Sequence, residues 1–61
     1  MNKHDELSAA IMRATTISDL AGIDDEIVAA LMRKQINCTQ AALLRRSIAR
    51  REDAIAILAT A

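Results

Sequence analysis

The sequence predicts an all-α fold, a small bundle of four or five short helices that self-associates. Three observations carry this. Apolar residues recur at three- and four-residue spacing through most of the chain. There is no proline and only one glycine in 61 residues, which leaves few places for strand turns. The polar residues between the apolar runs are helix-capping types, and Asn2, Thr16 and Asn37 each have an acid or amide three positions on.

The elements follow in order. Leu7, Ala10, Ile11 and Ala14 share one helical face and define a first helix over about residues 3–14. Asn2 with Asp5 supplies its cap. Thr15 and Thr16 interrupt it, being β-branched and better suited to caps than to helix interiors. Thr16 with Asp19 then opens a short second helix, Ile17 to Ala21, which Gly22 ends in a left-handed conformation. Asp24 caps a third helix over about 25–35, with Asp25 and Glu26 in its first turn and Ile23 stapled onto Val28. Gly22, Ile23 and Asp24 together form the expected structural hairpin.

In that third helix Ile27, Ala30 and Leu31 face inward, and Val28 and Met32 form a second ridge that would be covered in turn. Asn37 either stops this helix or begins the next, with Gln40 three positions later. Residues 39–59 fit one long helix with the stripe Ala41, Leu44, Ile48, Ile55 and Leu58, or two helices broken near Ala49–Arg51. Arg51 within the stripe favours the break. The absence of Gly, Pro, Asn and Ser between positions 48 and 53 favours continuity, so both forms stay open.

Composition bounds the function. The chain is a single domain, residues 1–61, whose apolar residues are largely alanine, with no aromatic side chain to supply a large anchor. Its core is small, and a homodimer or other self-association is the expected way to bury more surface. Cys38, the single cysteine, fits a reducing compartment and a cytoplasmic location. No apolar run is longer than that from Ala54 to Ala59, which is too short to span a membrane.

No enzyme is expected. His4 and Cys38 are single and far apart, there is no phosphate-binding glycine loop, and no nucleophile has a partnering base. No catalytic residue, cofactor or metal ligand emerges. The acids Asp24, Asp25 and Glu26 are accounted for as a helix N-terminus, and Cys38 as a small apolar residue at a helix junction.

Net charge is zero, yet residues 1–31 carry two bases and six acids, whereas residues 32–61 carry six bases and two acids. The two halves read as neighbours in one fold, with a basic face open to an anionic partner as the alternative. That face would be Arg45, Arg46, Arg50 and Arg51, able to meet nucleic acid or an acidic partner. Glu52 and Asp53 follow immediately, and there are no aromatics for stacking on bases.

The stretch Ser18 to Leu44, "SDLAGIDDEIVAALMRKQINCTQAALL", resembles helix-hairpin-helix-like repeats, especially the C-terminal acidic repeats of the bacterial transcription factor NusA. Leu20, the Gly22-Ile23-Asp24 hairpin, the Ile27/Leu31 pair, Ile36, Thr39 and Leu43-Leu44 carry it. The resemblance implies four or five short helices and docking of protein partners in bacterial or phage transcription. DNA-binding relatives have glycine at both ends of the hairpin. Asp24 takes the second place here, which argues against phosphate binding by those amides. The expected function is therefore a small non-enzymatic regulator or adaptor acting through protein contacts. A DNA- or RNA-binding regulator using the arginine cluster is the alternative.

Overall fold

A computed structural model describes residues 2–60 of the chain and has three helices rather than four or five: α1 Lys3–Arg13, α2 Ile17–Met32 and α3 Cys38–Thr60. Each packs on the other two. Two short connections reverse the chain, giving an up-down-up arrangement.

Each helix start is set locally by its cap. The Asn2 side chain accepts a hydrogen bond from the Asp5 amide at 2.9 Å. Thr16 accepts from the Asp19 amide at 3.1 Å, and Asp19 accepts in return from the Thr16 amide at 3.3 Å. Asn37 and Gln40 make the same reciprocal pair at 2.8 and 3.0 Å, so Asn37 begins α3 rather than ending α2. The two reciprocal pairs are capping boxes, and they satisfy amides that the first helical turn leaves free.

The predicted hairpin at Gly22, Ile23 and Asp24 is absent. α2 runs unbroken through all three residues, and Gly22 has no positive φ. Continuing the helix puts Leu20, Ile23, Ile27 and Ala30 on one face, and all four are buried. Burying a leucine or isoleucine contributes about 1.5–3 kcal/mol, whereas a glycine inside a helix costs about 1 kcal/mol. Core register therefore wins over the local stop. Asp24 is consequently a mid-helix residue and not a cap, and the Ile23–Val28 staple gives way to Ile23 in the core.

The left-handed residue lies elsewhere. Lys34 has φ 61°, the Gln35 amide donates to the Ala30 carbonyl at 2.9 Å, and the Lys34 amide donates to that of Leu31 at 3.1 Å. This pair of bonds is a Schellman motif, and it ends α2 with a lysine where glycine is the usual choice.

The core comprises Leu7 and Ile11 from α1, Ala14 just after it, the four α2 residues, Ile36 from the turn, and Ala41, Leu44 and Ile48 from α3. Ala10, Leu31 and Ile55 pack against it from its edges. The expected second ridge of α2 is not covered: Val28 is exposed, and Met32 is 79% exposed.

Of the two forms open for residues 39–59, α3 takes the single long helix. Arg51 does not break it because its guanidinium has a specific partner. Its Nε donates to the Ala14 carbonyl at 3.0 Å, closing the C-terminal end of α1. A charged donor on that carbonyl satisfies an orphan acceptor that would otherwise be costly.

Candidate interaction surface

Helix length decides what the bundle leaves open. α2 has 16 residues and α3 has 23, and one turn joins the end of the first to the start of the second. The extra seven residues carry α3 about 10 Å beyond its neighbours at 1.5 Å per residue. The Arg51–Ala14 contact marks where α1 ends against α3. Among the described residues past it, only Ala54 and Ile55 are partly covered, whereas Ile57 and Leu58 are 66% and 73% exposed. The molecule is accordingly a rod, 39 × 17 × 17 Å.

Below this extension, an open groove of about 270 Å³ runs between α1 and α3, lined by Ser8, Ile11, Met12, Ser47, Arg50 and Ala54 among others. Met12 is 71% exposed there. Ile57 and Leu58 thus place exposed apolar surface at one end of the rod, and Met12 adds an exposed apolar side chain beside the middle of α3. The sequence reading missed Met12 and Ile57, and counted Leu58 as core. The available signal was the length of the last apolar pattern against the two shorter ones before it.

The four arginines do not form one patch. Arg45 lies against Asp24 of α2, Nε to Oδ1 3.3 Å, and Arg51 turns inward to Ala14. Arg46 and Arg50 alone stay together on the solvent face of α3, with Asp53 one turn further along. The opposite charges of the two chain halves meet at the Asp24–Arg45 contact. Both side chains are about half exposed, so screening holds that pair to less than about 1 kcal/mol.

The remaining titratable groups have structural surroundings. Asp19 accepts from the Thr15 amide at 3.2 Å, from the Thr15 hydroxyl at 3.4 Å and from the Thr16 amide at 3.3 Å. These donors hold its pKa below the ordinary carboxylate value, the Thr15 amide contributing most. His4 Nδ1 lies 3.6 Å from Asp5 Oδ1 near the start of α1. Cys38 is the first residue of α3 and is exposed, not packed at a junction.

Among the described residues, no three His, Cys, Asp or Glu side chains converge where a metal ion could be held. No helix among them is long and apolar enough to cross a membrane. Compared with known proteins, the chain matches no family model, no curated protein and no solved structure.

Proposed function

We propose that this chain is a non-enzymatic interaction module, a small regulator or adaptor that works through protein contacts made by α3. The observation that carries this is the exposure of Ile57 and Leu58 on a helix end reaching past the rest of the bundle. Exposed apolar side chains grouped at one place on so small a surface are typical of contact sites. Nucleic-acid binding is the weaker reading. With Arg45 and Arg51 engaged, Arg46 and Arg50 remain as the phosphate-facing pair, enough for a salt dependence with a slope of only about −2.

A photo-crosslinking side chain at Leu58 tests the reading in cells producing the protein. Adducts to protein, lost when the crosslinker is moved to the polar position Ser18, are expected. Adducts to nucleic acid alone, or none at either position, would overturn it.

A further inference from the structure

The eight residues Ile48-Ala49-Arg50-Arg51-Glu52-Asp53-Ala54-Ile55 read the same in both directions if each base is exchanged for an acid. On one straight helix this is a charge-inverted palindrome centred on the bond between Arg51 and Glu52. The exposed face of α3 has the same centre. Leu43, Arg46, Arg50, Asp53 and Ile57 are all exposed and follow one another at spacings of three and four, the seam of a helix pair. Positions 46 and 57 are equidistant from the centre, and so are 50 and 53.

We propose that α3 pairs antiparallel with α3 of a second copy, about a two-fold axis passing between Arg51 and Glu52. The proposal rests on the reading of α3 as a protein-contact surface and names its occupant. In this register Arg50 of each copy meets Asp53 of the other, so two ion pairs form by symmetry. The Arg46 stem lies along Ile57 of the second copy, covering it while its guanidinium stays in water. A parallel pairing in register would set Arg50 against Arg50 and Asp53 against Asp53, which like charges disfavour.

Surface area points the same way. The chain exposes 4365 Å², whereas a compact monomer of this mass exposes about 3,900 Å². Its radius of gyration is 11.6 Å, against about 10.5 Å for a compact chain of this length. Removing the excess of about 470 Å² from each copy buries about 930 Å² in total, short of a stable interface and in the range of weak, transient ones, and hence a reversible dimer.

Sedimentation equilibrium of the 61-residue chain from about 5 to about 500 µM tests this, with circular dichroism to establish that each variant stays helical. The wild-type chain is expected to dimerise with a micromolar dissociation constant. Arg50→Asp alone and Asp53→Arg alone should each weaken self-association at least tenfold, because like charges then face each other. Mixing the two variants should restore the dimer as a heterodimer, since the acids of one variant then face the bases of the other at both contacts. Ile57→Ser, which leaves the charges in place, should weaken association without lowering helicity. A wild-type chain still monomeric at the top of that range, or a dimer indifferent to both charge reversals, overturns the proposal. If that monomer still crosslinks to a different protein through Leu58, the interaction reading survives and only the second copy is excluded. If it crosslinks to no protein, both fail.

Discussion

A methyl group added at Gly22 meets nothing within 4 Å, because this position faces solvent on a continuous α2. The backbone there has no positive φ, so alanine fits without strain. Gly22→Ala is therefore expected to stabilise the fold by the helix-propensity difference, about 0.8–1 kcal/mol, much of it from the restricted unfolded chain. For a domain of this size that corresponds to a rise in Tm of about 4–8 °C. Thermal melts followed by circular dichroism read this directly. They belong at one low, fixed concentration, because a dimer would make Tm concentration-dependent. The local reading of the same residue, a left-handed stop before a new helix, predicts the opposite sign, because alanine there costs about 1–2 kcal/mol. A Tm several degrees lower in Gly22→Ala would refute the continuous helix. Gly22→Val sharpens the comparison. Valine should be near neutral on a continuous helix and strongly destabilising in a left-handed turn.

Three further outcomes follow from the same geometry. Lys34→Gly should stabilise the chain by about 1 kcal/mol in urea unfolding, because Lys34 holds φ 61° at the end of α2. Arg51→Met keeps the apolar stem but deletes the donor to the Ala14 carbonyl, and should cost about 1–2 kcal/mol in the same assay. Asp19 has a lowered folded pKa, so its stabilising effect is complete above its unfolded value of 3.8 and is lost as pH falls through the lower folded value. Melts from about pH 6 to about pH 2 should therefore show a smaller acid-induced loss for Asp19→Asn than for the wild-type chain.

Much of the fold was legible because it depends on contacts within four residues. Asn2 and Thr16 with Asp19 cap where their spacing places them, and Asn37 with Gln40 takes the helix-start of the two roles its spacing left open. The inward faces Leu7–Ile11–Ala14, Ile27–Ala30 and Ala41–Leu44–Ile48 also follow from helical periodicity alone. The surface was less legible. Arg46 and Arg50 could be paired on one face from spacing, but the partners of Arg45 and Arg51 lie on other helices. Leu58 continues the apolar stripe of α3, so periodicity assigned it to a core that ends before reaching it.

Neighbouring letters alone dictate that the chain is helical, where α1 and α2 begin, and most of the residues that face inward. Backbone hydrogen bonding and capping act over one turn, so short stretches are sufficient. Packing between helices settled the rest: α2 passes through Gly22, Arg51 stays inside a long helix, and the end of α3 is uncovered. Each was a contest between a local preference worth about 1 kcal/mol and a long-range term: several buried side chains, a carbonyl 37 residues away, or the end of a neighbouring helix. Such terms depend on which segments meet in space, and a single stretch of sequence does not contain that information.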